Sequence, residues 1–258
     1  MILLTIAIPT YNRLKYLKEL LPGLLKQCEP YPEIEVLISD NCTTDGTLQY
    51  IKDMATINPH MRYRRNSTNV GGEENVVQCV ESAQGGYVWL FGDDELLCEG
   101  GIGTVINTLK TYPISLLILD GGDGKDIWFG TYADFIKNNK PQTIINHTFI
   151  TCNIFKKSIF NTTIARAHNT TKFGHFTLSY AITDSLMDHG IVSRINAPIF
   201  TVRTPRAPPS TKMKYIRLKY IQLLLYLKVS YPRILYFICF DLVWASALRQ
   251  IHKLQRII

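Results

Sequence analysis

The chain opens on ILLTIAI (2–8), an uninterrupted apolar run of the kind that forms a strand covered on both faces. Pro9 is expected to stop it. Asn12 then offers a cap for a helix in which Leu14, Leu17, Leu21, Leu24 and Leu25 return at helical spacing, and Pro22 predicts a kink or break within it. IEVLI (34–38) predicts a second strand, and the DGT turn at 45–47 opens a second helix. MRYRR (61–65) reads as a third, more exposed strand. GGEENVVQCVESA (71–83) reads as a helix with Val76, Val77 and Val80 inward, and YVWLF (87–91) as a fourth strand. A helix over 101–111 leads into ISLLILD (114–120), a fifth.

Beyond residue 120 the periodicity weakens. GGDGK (121–125) is a loop, TYADFIKNN (131–139) a helix and HTFITCNIF (147–155) a strand. Residues 173–188 read as helical and GIVSRINAPIFTV (190–202) as extended. TPRAPPS (204–210), with three prolines in seven residues, reads as a linker. The regular alternation in the first half predicts a three-layer α/β domain with a mainly parallel sheet. Such sheets bind ligands beyond the carboxyl ends of their strands. SDN (39–41) and GDDE (92–95) each follow a strand directly, which puts both on one rim and suggests a single site.

Charge refines the picture by its position. The net charge is +7, but 11 of the 28 Lys/Arg and one of the 21 acids lie from Arg203 onward. The first 202 residues therefore hold 17 basic and 20 acidic side chains, a net of −3. The basicity belongs to a tail, and the acids sit at the rim, which argues against a nucleic-acid-binding protein. Cysteines 28, 42, 79, 98, 152 and 239 form no CxxC pair and read as reduced, packed thiols of a cytosolic protein. Sequons at Asn41, Asn66, Asn146, Asn161 and Asn169 matter only in a secretory lumen. Residues 2–8 follow no basic region and precede no small-residue cleavage site, so they read as a strand and not a signal peptide.

Asp93, Asp94 and Glu95 follow an apolar strand without a break. One reading is a solvated turn. The other is a divalent cation, because Mg²⁺ or Mn²⁺ relieves repulsion between adjacent carboxylates and takes one or two of them together with substrate phosphate oxygens. A cation there offsets charge building on a departing nucleotide diphosphate. For SDN the bland reading is a helix cap or Asx turn, and for NVGGEEN (69–75) a turn and helix start with Gly71 supplying permissive dihedrals.

Four elements in order, TIAIPTYNR (5–13), IEVLISDNCTTDGT (34–47), NVGGEEN (69–75) and GGYVWLFGDDE (85–95), carry a resemblance. TFITCNIFKKSIF (148–160) and APIFTVRTP (197–205) extend it. The sequence resembles the glycosyltransferase family 2 enzymes with the GT-A fold, over about residues 2–205. The GGYVWLFGDDE form is similar to that of branch-adding enzymes of O-antigen synthesis, abequosyltransferase-like members among them. The resemblance implies a GT-A domain over 1–205, with a nucleotide-sugar-binding half (1–120) and an acceptor-side half (121–205); the charge and apolar pattern beyond it reads as a basic amphipathic helical tail (206–258).

By the same resemblance, Pro9, Thr10 and Tyr11 line the nucleotide pocket, Asp40 accepts a hydrogen bond from the nucleobase and Asn41 shapes the turn. Asp94 matches the metal ligand and Asp93 lies nearest the ribose or metal, while Gly92 stands where many members have an acid. Inverting transfer needs a base at the acceptor hydroxyl. Many members supply it from a Glu-Asp pair; KFGHFTLSYAITD (172–184) has none, and His175 takes about that place with a suitable pKa. A structural role for His175 beside aromatics, and Asp184 or Asp188 as the base, remain alternatives.

In 212–258, Lys212, Lys214, Arg217, Lys219 and Lys228 interleave with apolar residues, and the longest uncharged apolar run, ILYFICF (234–240), is too short to span a bilayer. Two readings stand: helices lying in the headgroup layer of the inner membrane face, or helices packed on the domain. The expectation is an inverting glycosyltransferase, cytoplasmic and peripherally membrane-associated, using a nucleotide-diphospho-sugar and a lipid-linked glycan acceptor. A non-catalytic nucleotide-sugar-binding subunit is the alternative.

Overall fold

A computed structural model describes residues 1–119, 127–132, 134–135, 150–161, 186 and 190–202. The first half runs β1 (Leu4–Thr10), α1 (Leu14–Cys28), β2 (Ile34–Asp40), α2 (Thr47–Ile57), β3 (Met61–Arg65), α3 (Gly72–Ser82) and β4 (Tyr87–Leu90). Then come β5 (Glu95–Leu97), α4 (Gly101–Thr111), β6 (Leu116–Leu119) and β7 (Ile127–Phe129). A 3₁₀ turn (Ile150–Cys152), β8 (Asn153–Lys156), α5 (Lys157–Asn161), β9 (Val192–Ile195) and β10 (Phe200–Val202) complete the described elements.

Eight strands form one sheet in the order β3-β2-β1-β4-β8-β6-β9-β7, and β10 pairs with β5 in a second. Strands β3, β2, β1 and β4 are mutually parallel, as are β6 and β9; β8 and β7 run against their neighbours. The sheet is mainly parallel, as the alternating pattern predicts.

Alternation along each strand sorts the core. Leu4, Ile6 and Ile8 of β1 join Ile34, Val36 and Ile38 of β2 in one cluster with Leu17, Leu20, Leu21, Leu24 and Leu25 of α1, Ile51 of α2 and Ile102, Val105 and Ile106 of α4. Each such side chain contributes about 1.5–3 kcal/mol on burial. Helix α3 packs on β1, β2 and β4 through buried Val77 and Val80, against the opposite face. The chain winds outward from β1 to β2 and β3, then returns to lay β4 on the other side of β1. Right-handed crossovers in opposite directions put their helices on opposite faces, and the reversal opens a crevice between the carboxyl ends of β1 and β4.

Several local expectations change. Strand β1 continues through Pro9, which pairs in register with Ser39, to Thr10 opposite Asp40. The nitrogen of Pro9 points towards the β4 side, where pairing has ended at Ala7–Leu90, so no ladder bond is lost. Helix α1 runs unbroken from Leu14 to Cys28 with Pro22 inside it, its flanking leucines anchored in the core. Asn12 does not cap α1. It adopts φ 52°, and its Oδ1 accepts from the Thr44 N–H at 2.9 Å, while Asp45 Oδ2 accepts from the Leu14 N–H at 3.2 Å.

In α3 the inward position beside Val77 and Val80 belongs to Asn75 and not to Val76, because the polar side chains of Ser39 in β2 and Asn66 just after β3 face it. The segment 147–155 begins its described part as a 3₁₀ turn before β8, and 190–202 divides into β9 and β10 in different sheets. Strands β5 and β7 are too short to give a periodic signal. The arginines of β3 are not merely solvated. Arg62 Nε donates to Glu35 Oε1 at 2.6 Å, and Arg64 donates to Ser39, Asn66 and Gln78, tying this edge strand to α3. The loop 121–125, most of the helix expected over 131–139 and of that over 173–188, and the tail 206–258 lie outside the described residues. Among the described residues, no helix is long and apolar enough to cross a membrane.

Candidate functional site

Three loops converge at the crevice, and hydrogen bonds fix each against its neighbour. The loop after β1 is tied to the loop after β2 by the Asn41 N–H to the Thr10 carbonyl (3.0 Å), the Thr44 N–H to Asn12 and the Leu14 N–H to Asp45. Asp45 also accepts from the Thr47 N–H at 3.1 Å and from its hydroxyl, so one carboxylate caps both α1 and α2. Burial alone would raise the Asp45 carboxyl, but donation from the Thr47 hydroxyl and from the Leu14 and Thr47 N–H groups outweighs it and lowers the pKa. Cys42, at φ 65°, is in a left-handed conformation uncommon for its type, a strain held by this web.

Asp40 ends β2 completely buried. Its Oδ1 accepts from the Thr43 N–H at 3.0 Å, and its Oδ2 is paired with the Arg65 guanidinium, its register partner at the end of β3. Arg65 also donates to the Thr43 carbonyl at 3.1 Å and is about a third exposed, so the group shown to the rim there is Arg65, with Asp40 as its anchor. Asn41 is a clasp. Its amide donates to Asn69 Oδ1 (2.8 Å) and the Gly71 carbonyl (3.2 Å), and its oxygen accepts from Asn66 Nδ2 and the Val70 N–H, both 3.0 Å. It therefore shapes the 66–71 loop, where Gly71 at φ 88° needs the freedom of glycine. Because Asn41 and Asn66 are buried and hydrogen-bonded, their sequons are closed to modification in the folded protein.

The acids after β4 occupy a tight turn, in which the Glu95 N–H donates to the Gly92 carbonyl at 3.3 Å. Both ends are pinned. Trp89 donates to the Thr151 carbonyl (2.9 Å), and the Gly92 N–H donates to the Thr151 hydroxyl (3.0 Å). Phe91 packs edge-on against Trp89 and Phe200, and β10 pairs with β5 from Glu95 onward. A β-carbon on Gly92 would stand 3.1 Å from Glu95 Cδ and 3.3 Å from its Oε2. The Glu95 side chain thus lies in the direction an acid at 92 would take, and an Asp there would set carboxylate against carboxylate.

Across the crevice the loop after β1 faces these acids. The Thr10 hydroxyl donates to Asp93 Oδ2 at 2.8 Å, and Arg13 Nη1 lies 3.9 Å from Asp94 Oδ2. Tyr11 is exposed on the same loop, and Pro9 is half-buried beside it. The structure thus brings Pro9, Thr10, Tyr11, Asp93 and Asp94 to one crevice with Asp40 and Asn41 at its flank. His175, Asp184 and Asp188 lie outside the described residues. Arg13, Asp45, Arg65 and Thr151 were not singled out from sequence. The Asp40–Arg65 pair was legible in principle, since parallel register places the two strand ends side by side.

Known proteins share sequence and fold with this chain. The chain is 40% identical over 111 residues to the abequosyltransferase RfbV of Salmonella typhimurium, covering 43% of this chain and 32% of that protein. It is 26% identical over 167 residues to the poly(ribitol-phosphate) beta-N-acetylglucosaminyltransferase TarS of Staphylococcus aureus, covering 63% and 28%. The chain thus spans less than a third of the length of either relative. Among solved structures, S. aureus TarS 1–349 in complex with UDP superposes with a TM-score of 0.64 at 19% identity, over 86% of this chain and 66% of that one. The mannosyltransferase PcManGT from Pyrobaculum calidifontis, in complex with GDP-Man and Mn²⁺, superposes at 0.52 and 15%, over 95% and 75%. These likenesses establish a shared α/β fold. Residues 5–166 match the family model described as glycosyl transferase family 2, and the chain belongs to that family.

Proposed function

We propose that the chain is an inverting glycosyltransferase that moves one sugar from a nucleotide-diphospho-sugar to a lipid-linked oligosaccharide or surface-polysaccharide acceptor. The observation that carries the reading is the Thr10–Asp93 hydrogen bond at the β1/β4 crevice, which joins the nucleotide-side loop to the acid turn. The relatives add support: the names of two describe sugar transfer, and solved neighbours are complexes with UDP, UDP-GlcNAc or GDP-Man.

Asp93 and Asp94 fit a hard divalent cation, Mg²⁺ or Mn²⁺. They are oxygen donors on one turn, and among the described residues no group of three or more His, Cys, Asp or Glu is arranged to hold a metal alone. A two-carboxylate set takes its remaining ligands from water and substrate phosphates. When bound, such a cation neutralises the charge gathering on the departing diphosphate.

The other steps fall to the chain itself. Tyr11 and Pro9 line the base side of the pocket, with Asp40 acting through Arg65 and Asn41 through the 66–71 loop. Thr10 holds Asp93 in one orientation. The acceptor oxygen bonds to C1 of the sugar as the bond from C1 to the diphosphate oxygen breaks. The electron pair leaves with the diphosphate, and the hydroxyl proton passes to a base, for which His175 is proposed and Asp184 or Asp188 are alternatives. The basic tail is proposed to hold the enzyme at the inner membrane surface, where a lipid-linked acceptor lies. The test is release of nucleoside diphosphate from a panel of nucleotide sugars with Mn²⁺, with and without lipid-linked glycan. Binding without turnover under either condition would instead favour a non-catalytic nucleotide-sugar-binding subunit.

A further inference from the structure

The two acids of the turn are held in different ways. Asp93 receives a neutral hydroxyl from Thr10, whereas Asp94 faces the guanidinium of Arg13. The 3.9 Å separation is longer than a charge-assisted hydrogen bond, and 41% of the Arg13 side chain is exposed against 11% of Asp94. Arg13 is therefore a loosely held, partly exposed cation beside a largely buried carboxylate. It has a second hold, since its guanidinium lies over the ring of Tyr16, 5.0 Å from the centroid, on the first turn of α1. Its backbone is fixed at the N-cap position of that helix, so the side chain can swing without the loop moving.

We infer that Arg13 is a positioning residue that serves as the resident counter-ion of Asp94 and cedes that carboxylate to a divalent cation when a nucleoside diphosphate arrives. This rests on the reading of Asp93 and Asp94 as cation ligands. A second cation beside Asp94 is opposed by the charge of Arg13. A diphosphate at the crevice reverses the balance, because a guanidinium forks onto phosphate oxygens as readily as onto a carboxylate. Cation and diphosphate then bind cooperatively, and the coupling is reciprocal. The cation alone binds weakly, which keeps the acid turn from being loaded before a donor is present.

The test is Mn²⁺ titration of the full chain followed by electron paramagnetic resonance, alone and with saturating UDP, GDP or CDP. It compares the wild type with Arg13→Gln, Arg13→Lys and Asp94→Asn, each checked for native circular dichroism. Arg13→Gln is expected to bind Mn²⁺ alone about fivefold more tightly, the factor an exposed ion pair can contribute, and to lose most of the gain the diphosphate gives. Arg13→Lys keeps the charge and is expected to restore weak binding of Mn²⁺ alone. If Asp94→Asn weakens Mn²⁺ binding while Arg13→Gln leaves it unchanged or weaker, Arg13 has no such role. If Asp94→Asn leaves Mn²⁺ binding unchanged, the cation site itself is misplaced and the inference falls with it.

Discussion

Asn41 offers the sharpest test of how the site is held. Replacing it with alanine removes four hydrogen bonds at once, two given by its amide and two received by its oxygen. Each is worth about 0.5–1.5 kcal/mol net. None of the four partners is stranded, however. Asn66 Nδ2 also donates to Asn75 (3.1 Å), Asn69 Oδ1 also accepts from Gly71, and the Val70 N–H and Gly71 carbonyl belong to exposed residues that water can reach. The expected loss is therefore about 2–3 kcal/mol, at the lower end of the roughly 2–6 kcal/mol that four such bonds sum to.

Asn41→Asp is more informative. It keeps the shape and the accepting oxygen but turns a second oxygen towards the Asn69 oxygen and the Gly71 carbonyl, so it should cost more than alanine and recover as acid protonates the new carboxyl. Urea denaturation followed by fluorescence measures both, with the slope against urea unchanged. A loss under about 0.5 kcal/mol for alanine, or wild-type stability for Asn41→Asp at neutral pH, would refute the clasp.

Gly92→Ala needs only a small shift of the flexible Glu95 end and should fold with little loss, whereas Gly92→Asp sets two carboxylates together and should lose stability that returns as pH falls, read by thermal melts between pH 5 and 8. Asp45 has its folded pKa lowered, so its contribution is complete above the unfolded carboxylate value of about 3.9 and disappears as pH falls through the lower folded value. Asp45→Asn should therefore flatten the acid limb of the stability–pH curve in urea titrations. Burial pushes the Cys28 and Cys79 thiols up to about 12, so brief iodoacetamide treatment at pH 8 should leave both unmodified in native protein while the partly exposed Cys42 reacts, as peptide mass spectrometry will read.

Much of the fold could be read along the chain because its signals are local. The apolar runs at 34–38 and 87–91 and the helical spacing of 101–111 belong to elements buried on a predictable face, and burial of those faces drives them into the expected layers. Local rules fail where a distant partner intervenes. Asn12 has the right chemistry for a cap, yet Asp45 from the next loop does the capping. Pro9 forfeits no ladder bond because β4 has diverged by that point, and α1 runs on past Pro22, which offers no N–H to the Lys18 carbonyl, because its leucines are anchored in the core.

For the site, the sequence by itself determined which acids follow which strands, and hence that SDN and GDDE share a rim, because strand direction in a parallel sheet is fixed by the crossovers. Which atoms meet was decided by tertiary structure alone. The reversal of winding at β1 places Thr10 against Asp93 across 83 residues of chain, and the β2–β3 register seals Asp40 behind Arg65. Gly92 stands out as a departure in the sequence, but the Glu95 carboxylate folded back over it is visible only in the fold. Hydrogen bonds and ion pairs act over a few ångströms, and only the folded chain brings residues so far apart in sequence to that range.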